Sequence, residues 1–315
     1  MERRKLGTTA IHVTRIVLGC GNFGGIGSAP AFFGQGENRE ESFAIMDAAW
    51  AGGITTFDTA DAYGGGASEA WIGAWLRERG IPRDEIVLST KVFNPMGAGL
   101  DGGLAPARIR RQLDSSLERL GVDRVDMYLT HAPDPDTPLA ESLGTMEDAR
   151  AAGKVGAIGG SNIDVQTLRD GLGTYGWAQN SYSLLDREAE DEILPLCAEH
   201  GLGFTPFGPL SGGWLTGKYR RGEGAPPGSR MATRPEGYPS LDDDRVFDAL
   251  DGLGAEARSR GLDMATLAFA WLLAQPGVTA VIVGPRRPEH LEPALRALEV
   301  ELSPAEAEAL AVLFA

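Results

Sequence analysis

The chain has 315 residues, with 29 basic against 44 acidic side chains for a net charge of −15, and only two cysteines. So acidic a surface repels polyanions, which argues against nucleic acid as a partner, and no apolar run is long enough to cross a bilayer. Cys20 and Cys197 lie far apart with neither CxxC nor metal-ligand spacing, so neither a disulfide nor a metal site is expected.

In chain order, MERRKLGTT carries charge with no apolar stretch behind it, which fits a cytoplasmic protein. RRKLG and IHVTR then read as a hairpin. Eight β-rich runs follow: IVLG from residue 16, TTFDT from 55, IVLSTK from 86, VDMYLTH from 125, VGAIGGS from 155, WAQNSY from 177, GFTPF from 203 and TAVIVG from 279. Helix-like segments lie between them at 39–52, 67–80, 107–121, 139–153, 190–201 and 288–298, several closed by the glycine favoured just past a helix end. Strict alternation predicts right-handed crossovers and a parallel sheet. Eight units without a linker predict an α/β fold of the (β/α)8 TIM-barrel type, a single domain over residues 1–315. The hairpin would cap the bottom, and a C-terminal helix in SPAEAEALAVLF, residues 303–314, would pack outside.

Two irregular stretches, 94–106 and 219–244, fall on the same side of the barrel. Lys218, Arg220, Arg221, Arg230 and Arg234 cluster in or beside the second, which in so acidic a chain suggests an anionic ligand beneath a lid. Gly19 to Gly24 spells GxGxxG after a strand, the fingerprint of a doubly wound dinucleotide domain. That fingerprint works by opening a helix, and GIGSAPAFFGQGEN has no helical periodicity, so the barrel is preferred.

Barrel enzymes build their sites at the C-terminal ends of the strands. There the runs end in Asp58, Lys91, His131, Ser161 with Asn162, and Gln179 with Asn180, while Tyr63 lies in the loop after the second strand. Singly each reads as a turn or strand-end residue. Together an acid, a phenol, an ammonium and an imidazole on one rim make a proton-donating unit. Tyrosine near its usual pKa of about 10 is a weak acid, and Lys91 would lower it by stabilising phenolate. A buried Lys91 would in turn need Asp58 as counter-ion, and His131 could hydrogen-bond a carbonyl or share the proton. Such a unit would protonate the alkoxide formed when hydride adds to a carbonyl, which calls for a nicotinamide cofactor.

The chain resembles the aldo-keto reductase family. The likeness rests on FDTADAY with the following SE and IG, STKVF, LTHAPDPDTP, GKVGAIGGSN, FGPLSGGWLTGKY and VIVGPRRPEHL, and runs in order over nearly the whole length. It implies NADPH-dependent, reversible reduction of an aldehyde or ketone, with Tyr63 as general acid and Asp58, Lys91 and His131 completing a tetrad. It further implies that Ser161, Asn162 and Gln179 hold the nicotinamide carboxamide, that Phe207 stacks on the ring, and that Gly208, Pro209, Leu210 and Gly213 follow the pyrophosphate. Cys20, Gly21, Asp58 and Gly284 would also border the cofactor. Lys218 and Arg230 resemble phosphate contacts of the lid-bearing branch that includes potassium-channel β subunits, and Arg286 resembles the 2′-phosphate ligand. A guanidinium suits a phosphate dianion, so NADP(H) is the expected cofactor. His290 would meet the adenosine, although it stands where glutamine is usual; Phe207, Gly156, Ala132 and Ala294 also depart from the family pattern. Phe23, Phe93, Met96 and Trp214 are the expected substrate-pocket residues, and a small carbonyl compound the expected partner.

Two other readings compete. The channel-subunit likeness allows an NADPH-binding regulatory or redox-sensing subunit with little turnover. Lys91 at a strand end could instead be a Schiff-base nucleophile, although a paired Asp58 would keep its amine protonated.

Overall fold

The computed structural model describes residues 1–234 and 241–315; residues 235–240 of the expected basic lid lie outside the described residues. Strands β1 (Arg3–Lys5) and β2 (His12–Thr14) form the antiparallel hairpin. Eight parallel strands follow: β3 (Ile16–Gly19), β4 (Thr56–Asp58), β5 (Val87–Val92), β6 (Val125–Thr130), β7 (Val155–Ser161), β8 (Tyr175–Gln179), β9 (Gly203–Phe204) and β10 (Val281–Val283). They pair in sequence order, and β10 returns to pair with β3. The remaining seam is drawn together by a parallel bridge between Phe204 and Val278. The Thr279 N–H donates to the Phe204 carbonyl at 2.8 Å, and the Ile282 N–H to that of Pro206 at 2.9 Å. The sheet thus curls round as a (β/α)8 fold.

Two strands differ from the expected bounds. The sixth barrel strand begins at Tyr175 and ends at Gln179 rather than running over 177–182. The seventh is regular only over Gly203–Phe204, and its pairing with the sixth resumes at an isolated bridge between Ser181 and Phe207. After β3 no α-helix begins before Arg39; the GxGxxG run folds instead into turns joined by the bridges Phe23 to Glu37 and Gly25 to Phe33.

Helices clothe the sheet. Arg39–Ala51 starts on a capping box of Asn38 and Glu41. Ala67–Arg79, Pro106–Leu120 and Ile193–His200 each stop at a left-handed glycine, respectively Gly80, Gly121 and Gly201, as the sequence pattern requires. Val165–Asp170, Asp244–Ser259 and Met264–Ala274 are further helices, beyond the segments named above. The last, MATLAFAWLLA, is buried from Ala265 to Leu272 and so shows no polar face to give a 3.6-residue period. The C-terminal helix Pro304–Val312 packs on it, with Trp271 Nε1 donating to the Ala307 carbonyl at 2.9 Å. Among the described residues no helix is long and apolar enough to cross a membrane.

The barrel interior is apolar at its lower end, where Leu6 and Val13 of the hairpin region pack with Val17, Met127, Leu129, Ala157, Trp177 and Ile282. Gly7 makes that plug possible: its φ is +53°, and a Cβ there would lie 2.1 Å from the Gly203 nitrogen and 2.2 Å from the Gly176 oxygen. Arg15, between β2 and β3, is buried and fastens the seam. Its Nη1 donates to the carbonyls of Val278 (2.8 Å) and Thr279 (2.6 Å), and its Nη2 to that of Leu273 (2.7 Å). Burial is the main cause that lowers its pKa to about 10, which still leaves it charged at neutrality.

Truncating Arg15 would strand three carbonyls. Arg15→Ala is expected to lower the unfolding free energy by about 3 kcal/mol or more in urea denaturation; a loss below about 1 kcal/mol would show that the carbonyls find other donors.

Candidate active site

Asp58 ends β4, and β5 presents Ser89 and Lys91, two residues apart, on one face of the strand. Ser89 Oγ donates to Asp58 Oδ1 at 2.9 Å and Lys91 Nζ to Oδ2 at 2.5 Å. Gln179 Nε2 reaches the same Oδ1 from β8 at 3.1 Å. The Lys91 ammonium has two further acceptors, the Thr59 carbonyl at 2.9 Å and Tyr63 Oη at 3.2 Å. All three of its protons are therefore placed. Burial pulls its pKa down, but the charges and hydrogen bonds of Asp58 and Tyr63 outweigh that and the net direction is up. An amine held protonated in this way is no Schiff-base nucleophile.

Tyr63 begins a short 3-10 turn, and the glycines after it have a steric reason. Gly64 has φ +59°, and a Cβ there would stand 2.6 Å from the Phe23 carbonyl oxygen; only glycine lets the loop close down on its neighbour. The phenol ring lies over Gly21, where a Cβ would meet it at 3.5 Å. Contrary to the expected acidification, burial raises the Tyr63 pKa, and Lys91 opposes the rise without reversing it. Tyr63 therefore stands as a neutral phenol holding its proton.

His131 follows β6, edge-on to Tyr63 at 5.4 Å between ring centroids, with Nε2 3.5 Å from the phenol oxygen. Asn94 Nδ2 donates to Nδ1 at 3.1 Å, which puts the imidazole proton on Nε2. Burial first, and then the Lys91 charge, hold its pKa well below the usual histidine value. The ring is neutral and donates toward Tyr63.

Behind the rim lies support to which the sequence pattern assigned no role in the site. Arg108 donates to the carbonyls of Asn94 (2.7 Å) and Gly103 (2.8 Å), so it fixes the loop that carries the histidine's partner. Glu69 accepts from Thr90 Oγ1 at 2.5 Å and Arg119 Nε at 2.7 Å. Asp61 is buried 3.8 Å from Arg108. Desolvation, then Glu69, push it up to about 7. Ser89 had a readable signal, since it shares the face of Lys91; Asn94 sits in an irregular loop, where no period places a side chain, and Arg108, in the first turn of Pro106–Leu120, is a charged residue on the buried side of a helix, where the pattern leads one to expect an apolar one.

From Tyr63 and His131 a cleft of about 1780 Å³ runs to Arg286 and His290. That exceeds the space for one drug-sized ligand. It is lined by Gly21, Asp58, Ser161, Asn162, Gln179, Phe207, Gly208, Pro209, Leu210, Gly213, Lys218, Arg230, Gly284, Arg286 and His290. Ser161, Asn162 and Gln179 form one cluster, with Ser161 Oγ donating to Gln179 Oε1 at 3.3 Å and Asn162 Nδ2 to Ser161 Oγ at 3.2 Å. Asn162 takes φ +53°, and its Nδ2 also donates to the His131 carbonyl at 2.9 Å. His290 Nδ1 accepts the Arg286 N–H at 3.3 Å, and its pKa is lowered, mainly by burial.

The other expected residues lie elsewhere. Cys20 is fully buried beneath the rim, its thiol donating to the Leu18 carbonyl at 3.6 Å. Phe23 is fully buried in the core, and Trp214 packs on Tyr219 and Phe247 at 4.7 and 5.7 Å. Phe93 and Met96 are half-buried, Met96 against the glycine turn, and none of the four lines this cleft. Among the described residues no cluster of potential metal ligands occurs.

The cleft suits a nicotinamide dinucleotide on two observations. Gly21 leaves open the space above the Tyr63 ring that a Cβ would fill, and Lys218, Arg230, Arg234, Arg286 and Arg287 gather cationic groups in one wall of an acidic chain.

The sequence model of the aldo/keto reductase family matches residues 15–313. Similar proteins include the uncharacterized oxidoreductase YrpG of Bacillus subtilis (strain 168), 35% identical over 96% of this chain and 92% of that one. The NADH-specific methylglyoxal reductase of Escherichia coli (strain K12) is 33% identical, covering 98% and 96%. A probable voltage-gated potassium channel subunit beta of Arabidopsis thaliana is 31% identical, covering 95% and 92%.

The buried neutral histidine has a measurable consequence. Below about pH 6.5 the unfolded chain protonates this residue and the folded chain does not, so stability must fall as pH drops through that value. His131→Asn is expected to flatten the slope of unfolding free energy between about pH 5 and 6.5 by up to about 1.4 kcal/mol per pH unit. An unchanged slope would contradict the assigned protonation state.

Proposed function

The chain belongs to the aldo/keto reductase family, and from that premise we propose that it reduces the carbonyl of an aldehyde or ketone, reversibly, with Tyr63 delivering the proton. The whole chain is read as one barrel domain for this task. The observation that carries the proposal is the contiguity of Asp58, Lys91, Tyr63 and His131 at 2.5, 3.2 and 3.5 Å.

A reduced nicotinamide dinucleotide, when bound, supplies hydride to the carbonyl carbon. Ser161, Asn162 and Gln179 would orient its carboxamide, Phe207 would stack on the ring, and the basic wall would take its phosphates. The chain's own residues handle the proton. Tyr63 Oη and His131 Nε2–H converge on one point, where a carbonyl oxygen could accept from both. As hydride adds, that oxygen becomes an alkoxide, a base strong enough to take the phenol proton even though burial has raised the phenol's pKa. The phenolate left behind faces the Lys91 ammonium at 3.2 Å. Asp58 keeps that ammonium charged and in place, and solvent returns the proton to Tyr63.

The expected preference for NADP(H) rested on Arg286, whose guanidinium is engaged by Glu37 at 2.7 Å. One similar protein is named as NADH-specific, so the proposal is stated for either dinucleotide. The likeness to a channel β subunit favours a second reading, a cofactor-binding subunit with little turnover. Tight cofactor binding without reduction of any member of a broad carbonyl panel would select it.

Tyr63→Phe is expected to lower carbonyl reduction by about 100-fold or more while the cofactor dissociation constant changes little; retained turnover would refute the role of the phenol. Tyr63 and Lys91 are shifted upward and His131 downward, so none of the three titrates between about pH 6.5 and 10. The pH profile of kcat/KM should therefore carry no step from them in that window. A step near neutrality that survives in Asp61→Asn would contradict this assignment.

A further inference from the structure

Arg286, the residue implied to hold a 2′-phosphate, does not stand open. Its Nε donates to Glu37 Oε1 at 2.7 Å and its Nη1 to the Gly228 carbonyl at 2.7 Å. The partners differ in depth: the Arg286 side chain is 42% exposed and that of Glu37 only 4%. Glu37 Oε2 is buried with no hydrogen-bond partner among the described residues, and the residue lines the cleft.

The backbone fixes that carboxylate. The Glu37 N–H donates to the Asn22 carbonyl at 2.9 Å, and the Glu37 carbonyl accepts from the Gly24 N–H at 2.9 Å. Asn38 then caps the first helix, so the chain on either side has no slack. Glu41, one turn on, adds a second carboxylate to the same wall.

Resting on the reading of this cleft as a dinucleotide site, we propose that Glu37 sets the choice of cofactor. Its carboxylate occupies the guanidinium that a 2′-phosphate would need, so the protein favours NADH over NADPH. Arg286 is already neutralised by Glu37, and a phosphate dianion drawn to it would lie beside a buried carboxylate. Turning Arg286 away to serve the phosphate would leave Glu37 charged, buried and unpaired. A ribose hydroxyl meets neither difficulty. It is neutral, so it neither competes for Arg286 nor sets a negative charge beside the Glu37 carboxylate. Acidic groups take ribose hydroxyls and arginines take 2′-phosphates in doubly wound dinucleotide sites for the same reason.

The test is equilibrium binding to the cofactor-free protein, with NADH and NADPH titrated against intrinsic fluorescence in wild type and Glu37→Gln. The wild type should bind NADH about tenfold more tightly than NADPH, and Glu37→Gln, which keeps size and removes charge, should shift that ratio toward NADPH by at least about fivefold. Competition by adenosine 5′-monophosphate and adenosine 2′,5′-bisphosphate on the wild type isolates the phosphate without any variant; the monophosphate should compete at least as well. A wild type that binds NADPH or the bisphosphate more tightly, or a folded variant whose ratio shifts by less than about fivefold, overturns the proposal and leaves the reductase reading intact. Failure to bind either dinucleotide overturns both.

Discussion

A lysine ammonium and an aspartate carboxylate, with side chains 1% and 5% exposed and 2.5 Å apart, set the terms for the open end of this barrel. Neither charge is tolerable there without the other, since removing one leaves its partner buried and uncompensated. The other two protons of the ammonium go to the Thr59 carbonyl and Tyr63 Oη, and the carboxylate also accepts from Ser89 and Gln179. The pair thus ties β4, β5 and β8 together and fixes a positive charge beside the one phenol in the group. A preorganised charge of this kind needs no rearrangement when the phenol gives up its proton.

The rest of the architecture serves that arrangement from two directions. At the bottom the hairpin and Leu6 close the interior with apolar packing, and Arg15 binds the seam before β10. At the top, loops that lack a period of their own are held by buried polar contacts. Arg108 fixes the backbone of Asn94, Asn94 fixes the tautomer of His131, and His131 meets Tyr63. A rigid scaffold with function on its loops is the usual division of labour in such barrels.

Alternation of strands and helices was legible because each strand is bounded by turn residues and each surface helix has a polar face; the site followed from reading the strand ends. What escaped the reading escaped for physical reasons. Met264–Ala274 has no polar face, and the seventh strand is regular over two residues only, although its composition continues past them. Phe23 and Trp214 lie in segments beside the cleft but turn inward, which depends on loop backbone that carries no periodic signal. The direction of the Tyr63 shift is a balance between burial and the Lys91 charge, and depth of burial is not written in a motif. Glu37 read as part of the run GIGSAPAFFGQGEN, which has no helical periodicity; only its ion pair across the fold with Arg286 marks it.

The most direct test of the account is the oxidation of reduced nicotinamide, with a panel of aldehydes and ketones, by wild type and Lys91→Met, each shown to be folded and to bind the cofactor. The account predicts carbonyl-dependent oxidation by the wild type and its loss by about two orders of magnitude or more in the variant, since an uncharged neighbour cannot stabilise the phenolate. Undiminished turnover in Lys91→Met would contradict it.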